Sequence, residues 1–198
     1  MELNKEDGGN RRYILVQLPE LTNPTGEAYK AGFKNIADIS KERIRRVIKK
    51  IQQEKKIKPG LFDDEKLDLG FKAFKLSNSN FKIWQSDEIT DENLVQQLDA
   101  FTNPVNEGSQ QLNMLYELMI KAGYSLTDKV EAVNNYFLIN AGELIIALEE
   151  ISQPVIDKII ASKPQKVITL DNLFKGNDQL KTNTVLQMRD AEIDFKTI

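Results

Sequence analysis

Glu20 closes a short apolar run, Tyr13-Ile14-Leu15-Val16-Gln17-Leu18-Pro19, and a carboxylate in that place is suited to holding a sugar. Open α/β sheets bind ligands just outside the carboxyl ends of their strands, where an acidic side chain can accept hydrogen bonds from both ribose hydroxyls. A glycine-rich loop one strand earlier normally completes such a site. Residues 1–12 contain no earlier strand; they supply only the turn Asp7-Gly8-Gly9-Asn10-Arg11-Arg12. The plainer alternative is a surface glutamate in the loop after a strand.

Two further segments carry chemistry. Nine Lys or Arg fall between positions 41 and 58 against two Glu, which could contact phosphates. The simpler account is the solvated outer face of a helix, since the aromatic interleaving of a single-strand binder is missing. The polar stretch 174–183 follows an apolar segment that ends at Leu170, with Asp171 and Asn172 just past it. Asn177 or Asp178 can cap a helix there, and free amides could receive an anion. Asp171 with Asp178 could also approach a divalent ion, although two carboxylates alone make a poor site.

Composition narrows the chemistry. The 198 residues contain no cysteine and no histidine, which excludes disulfides, thiol chemistry, Cys/His zinc sites and any histidine base within them. Hydrophobic residues make up 40% and charged residues 29%, an ordinary globular balance. The net charge of −3 argues against a globally basic nucleic-acid binder but leaves a local basic face open. No apolar stretch approaches the ~20 residues of a membrane span, and residues 1–20 lack a signal-peptide layout, so a cytoplasmic protein without a membrane partner is expected.

Hydrophobic period and turn residues then predict the elements that would position these groups. Residues 13–18 read as a buried strand, and Ser40 as the cap of a helix with Ile44, Val47, Ile48 and Ile51 on its inner face. Residues 69–76 read as a second strand, and Phe81–Trp84 as a short third one. A composition shift at 85–91 suggests two domains, 1–85 and 86–198. In the second, helices are expected near 91–101 and from Ser109 to Gly123, the latter serving as its C′ residue. A hairpin around Asn140-Ala141-Gly142, a helix capped by Ser152, a strand at 167–170, a helix at 178–189 and a strand at 193–196 complete it. The expected fold class is α/β: a partial Rossmann-like βαβ segment, a helical linker and a compact C-terminal ββαβαβ domain.

Taken together, residues 3–20, Tyr29-Lys30-Ala31-Gly32-Phe33 with Ile36, residues 41–46, Asp68-Leu69-Gly70-Phe71-Lys72, residues 81–84 and Phe174 to Asn183 resemble the modification subunit of type III restriction–modification systems. That family comprises adenine-N6 DNA methyltransferases using S-adenosylmethionine. The resemblance implies that residues 1–85 are the C-terminal remnant of the methyltransferase core, and 86–198 an association domain. It implies one cofactor-binding residue, Glu20, on the ribose hydroxyls; no catalytic or metal-binding residue carries over. The family's DPPY and FxGxG motifs do not occur in these 198 residues. Methyl transfer needs the sulfonium and the target amine held in line, so the chain alone is expected to be inactive and not to bind S-adenosylmethionine tightly. Implied partners are DNA in the complete enzyme, and a second copy or a restriction or methylation subunit. The alternative is a standalone, non-catalytic module that docks onto such a subunit.

Overall fold

In a computed structural model, residues 1–57, 68–82, 90, 93–95, 97–98 and 103–198 are described, and the chain divides into two units, Met1–Lys75 and Leu76–Ile198. The expected boundary at 85–91, the Pro59-Gly60 stop, Ile83-Trp84 and most of the helix near 91–101 lie outside the described residues.

The first unit is built from helices among its described residues: α1 (Glu2–Asp7), α2 (Glu27–Lys30) and α3 (Ile36–Ile57). α1 stops because Gly8 turns left-handed, at φ 67°, a conformation that costs any residue with a Cβ. Arg11 then reaches back to Asp7 with two hydrogen bonds, at 2.8 and 2.6 Å. The Arg11 guanidinium holds the Asp7 carboxyl down to about 2, with help from the Gly9 amide. A Cβ on Gly9 would crowd the Arg11 guanidinium and the Asp7 carboxylate, so a side chain there would shift the clamp.

α3 begins four residues before the expected cap. Asn35 Oδ1 accepts the Asp38 amide at 2.9 Å, and Asn35 Nδ2 donates to the Asp38 carboxylate at 2.8 Å, so Asn35 occupies the capping position. Ser40 lies inside the helix and donates to the Ile36 carbonyl instead. As expected, Ile51 is buried, with Ile44, Val47 and Ile48 half-buried on the same side.

Neither expected strand of this unit forms. Residues 13–18 have no ladder partner among the described residues and expose their apolar side chains, Ile14 and Val16 each at 91%. Residues 69–76 likewise form no strand, with Phe74 48% exposed. Among the described residues the pairing in this unit is an isolated antiparallel bridge, Leu21 to Asn35. The expected βαβ segment is therefore corrected to helices joined by extended chain. A strand persists only where neighbouring backbone satisfies its N–H and C=O groups, and no described segment of this unit does so.

The second unit is a mixed α/β domain. α4 (Gln111–Lys121) precedes three antiparallel strands, β1 (Val130–Val133), β2 (Tyr136–Ile139) and β3 (Leu144–Ala147). α5 (Gln153–Ala161), β4 (Lys166–Thr169), α6 (Asp178–Asp190) and β5 (Asp194–Thr197) follow, with β4 and β5 parallel to β3. The strands lie in chain order, β1-β2-β3-β4-β5. The sequence reading of this unit was one strand short: β1 pairs with β2 across Asn134-Asn135, where Asn134 takes a positive φ of 48°.

Strand alternation sorts the core into two layers. Leu144, Ile146 and Ile168 pack with Met114, Leu115, Leu118 and Met119 of α4. Ile145, Ala147 and Val167 pack with Val155, Ile156 and Ile159 of α5 and Met188 of α6. All four β3 residues are consequently buried, as expected of a strand covered on both faces. Each such aliphatic side chain contributes about 1.5–3 kcal/mol on burial.

α4 also fixes the start of its own unit. Gln110, not Ser109, stands at its N-cap, and Ser109 donates instead to the Asn80 carbonyl at 3.1 Å. Glu117 accepts from the Asn80 amide at 2.7 Å and its side chain at 2.8 Å, from Ser79, and from Lys121 at 2.8 Å. Burial raises the pKa of Glu117, but these donors outweigh it and hold the carboxyl down to about 2. Phe81 is thereby seated in the core and bridges Val105.

Candidate functional site

Glu20 is positioned by its backbone. After the exposed run 13–18, the Glu20 amide donates to the Leu18 carbonyl at 2.8 Å, a tight turn centred on Pro19. The Glu20 carbonyl accepts the Ile36 amide, the first of α3, at 3.0 Å. Thr22 extends this strap through its amide to Lys34 at 3.0 Å and its hydroxyl to the Phe33 carbonyl at 2.6 Å. The acidic residue that ends the apolar run is thus anchored by its backbone at the start of α3. Its carboxylate is exposed, and among the described residues it meets no hydrogen-bond or ion-pair partner. Two free carboxylate oxygens can accept two hydroxyl donors, and that is the whole chemistry Glu20 offers unaided.

The second sequence candidate is taken up by structure. Asn177 Oδ1 accepts the Leu180 amide at 3.0 Å and caps α6. Asp171 Oδ1 lies 2.6 Å from Lys181 Nζ, an ion pair without hydrogen-bond alignment. Lys181 therefore holds the charge that a cation would neutralise. Among the described residues no group of three or more acidic side chains is arranged to hold a metal ion. The polar loop after β4 acts as a cap and a tie.

The sequence reading missed one polar cavity. It has a volume of about 530 Å³ and lies at the N-terminal ends of β4 and β5, lined by Tyr124, Asp128, Asn140, Glu143, Lys166 and Asp194 among others. Burial, and then the negative charge of Glu143, push the Tyr124 phenol pKa upward. Asn140, which lines it, adopts a positive φ of 52°. These residues come from four separate segments, so no local spacing announced them. The cavity opens at the edge opposite to the one where parallel sheets place their ligands.

The chain thus combines a helical unit, which carries an exposed acidic residue after an extended apolar run, with a mixed α/β domain. Over 77 residues it is 38% identical to the Mod subunit of the type III restriction-modification enzyme StyLTI from Salmonella typhimurium, covering 39% of this chain and 11% of that protein. Over 48 residues it is 44% identical to the Mod subunit of the type III enzyme EcoPI from Escherichia phage P1, covering 24% of this chain and 7% of that protein. The matches thus span about a tenth of these relatives' length, and they establish partial homology to Mod subunits. No family model matches the chain.

Proposed function

We propose that the chain corresponds to the C-terminal part of a type III Mod-type adenine-N6 DNA methyltransferase. In this reading the 13–20 segment supplies one strand and the ribose ligand of an S-adenosylmethionine site, and the second unit acts in subunit association. The observation that carries the reading is the exposed run 13–18: apart from Gln17 it is apolar on both faces, as suits a strand of a doubly covered parallel sheet, yet it lacks any strand beside it among the described residues. Partial homology to the two Mod subunits supports the same assignment. Its physical complement is a polypeptide carrying the DPPY and FxGxG segments, which would pair with residues 13–18 and bring a cofactor to Glu20.

The test is reconstitution. The chain alone should show no measurable methyl transfer and no tight S-adenosylmethionine binding by calorimetry. Mixed with a Mod-type polypeptide ending before its own equivalent of residue 13, it should restore cofactor binding. Glu20→Gln should then weaken that binding about tenfold or more, the cost of losing charge-assisted hydrogen bonds to two hydroxyls. Methylation by the chain alone, or an unchanged affinity for Glu20→Gln in the reconstituted protein, would overturn the proposal.

A second reading, a standalone interaction module, draws on a different feature. Leu76–Ile198 has a five-stranded sheet with helices on both faces and its own buried core, so it needs no further strand to fold. A stable, monodisperse oligomer of this chain that ignores the complementary polypeptide would favour the module.

A further inference from the structure

The Met1–Lys75 unit carries 17 Lys and Arg against 12 Asp and Glu, net +5, whereas Leu76–Ile198 carries 10 against 18, net −8. Such segregation of sign within one chain is a known mark of contact with a polyanion. In the first unit the positive charge is concentrated on α3. Arg43, Arg45, Arg46, Lys49 and Lys50 are all exposed, and at 1.5 Å per residue they occupy about 10 Å of helix. With 100° between successive residues, Arg46 and Lys49 centre the face opposite Ile44, Val47, Ile48 and Ile51, while Arg45 flanks it on one side and Arg43 and Lys50 on the other.

A helix face that serves only solvation balances its cations with acids three or four residues away. α3 does this in part: Arg46 pairs with Glu42 at 2.9 Å, and Lys50 lies 3.9 Å from Glu54. Glu54 is shared, since Lys5 holds it more closely, at 2.5 Å. Arg43 and Lys49 meet no acid among the described residues, and Arg45 stands 6.0 Å from the Phe71 ring rather than beside a carboxylate. Arg45 with Lys49, and Arg46 with Lys50, are like charges four residues apart, each pair costing the helix a few tenths of a kcal/mol. A row of phosphates would relieve that repulsion.

We infer that the outer face of α3 is a docking surface for the phosphate backbone of duplex DNA, independent of base sequence. The excess charge stands on its own; the choice of DNA as the polyanion rests on the function proposed above. Neutralising three to four phosphates implies a log K against log salt slope of about −3.

Fluorescence anisotropy of the full chain with a short labelled duplex, titrated between about 50 and about 200 mM salt, reads both affinity and slope. The combined variant Arg45→Gln, Arg46→Gln and Lys49→Gln should lower affinity at least tenfold and flatten the slope by about 2. Glutamine keeps the helix propensity close to that of the residues it replaces, and unchanged circular dichroism verifies this. Arg43→Gln with Lys50→Gln should repeat the effect from the other flank. Lys121→Gln, Lys166→Gln and Lys196→Gln, in the acidic unit, should leave binding unchanged. An absence of salt-dependent binding, equal losses in that control, or stronger binding to anionic lipid vesicles than to duplex would each overturn the inference. Because this assay contains neither cofactor nor complementary polypeptide, it can fail while reconstitution succeeds, and the reverse.

Discussion

The two units respond differently to the same kind of residue. Aliphatic side chains in β3 are fully buried, while Ile14 and Val16 of the first unit are 91% exposed. Both segments are short aliphatic runs; what separates them is what lies beside the backbone. β3 has β2 on one edge, β4 on the other, and helices over both faces. Residues 13–18 have a clamp before them and a strap after them, but no strand alongside among the described residues. Apolar sequence provides the driving force for burial, and only the neighbours decide whether burial occurs.

Exchanging equivalent substitutions between these runs tests that contrast most severely. Ile146→Ala should cost about 3 kcal/mol in urea unfolding, through lost transfer free energy and a residual cavity. Val16→Ala should cost less than about 0.5 kcal/mol, as substitutions away from packed features do. A loss at Val16 comparable to that at Ile146 would mean the run is buried in a contact between copies, and the contrast would collapse.

A smaller effect is expected at the clasp between α4 and the Ser79-Asn80 turn. Glu117 is held well below the ordinary glutamate range, so its contribution is fully present above the unfolded pKa of about 4.5 and is lost as pH falls through about 2. Glu117→Gln should remove about 2 kcal/mol at neutral pH, within the range for charge-assisted hydrogen bonds. The gap to the wild type should close as pH drops below about 3; a gap that stays constant across this window would show that packing, not charge, holds the turn.

A loss smaller than that at Glu117 is expected in the first unit. Gly8→Ala places a Cβ in the left-handed region at the end of α1, at a cost of about 1 kcal/mol. It should loosen the Asp7–Arg11 clamp and raise the rate of proteolysis between residues 8 and 20, with no change in the melting of the second unit. A parallel loss in both units would mean that they fold as one.

Local signals were legible wherever they were sufficient. The inner face of α3, the Gly123 terminus of α4, the Ser152 start of α5 and the Asn177 cap of α6 all follow from period and capping chemistry within a few residues. The start of α3 was misplaced because two polar residues could cap it, and the Asn35–Asp38 pair does so with two hydrogen bonds. β1 escaped notice because Val-Glu-Ala-Val carries little strand character; the Asn134-Asn135 pair before Tyr136 was the available clue. The polar cavity was beyond local reading, since the chain brings Tyr124, Glu143, Lys166 and Asp194 together only through the sheet.

The sequence by itself determined the inner face of α3, the ends of α4, α5 and α6 within a few residues, the turn after Asp7, the exclusion of histidine and cysteine chemistry, and the place of Glu20 at the end of an apolar run. Those properties depend on covalent type and on neighbours within one or two helical turns. Tertiary structure alone decided which apolar runs became strands, how β3 came to be covered on both faces, and that an exposed Glu20 is tied through its carbonyl to the first residue of α3. Strand pairing and burial need partners distant in sequence, and the free energy of an apolar segment is realised only when those partners arrive.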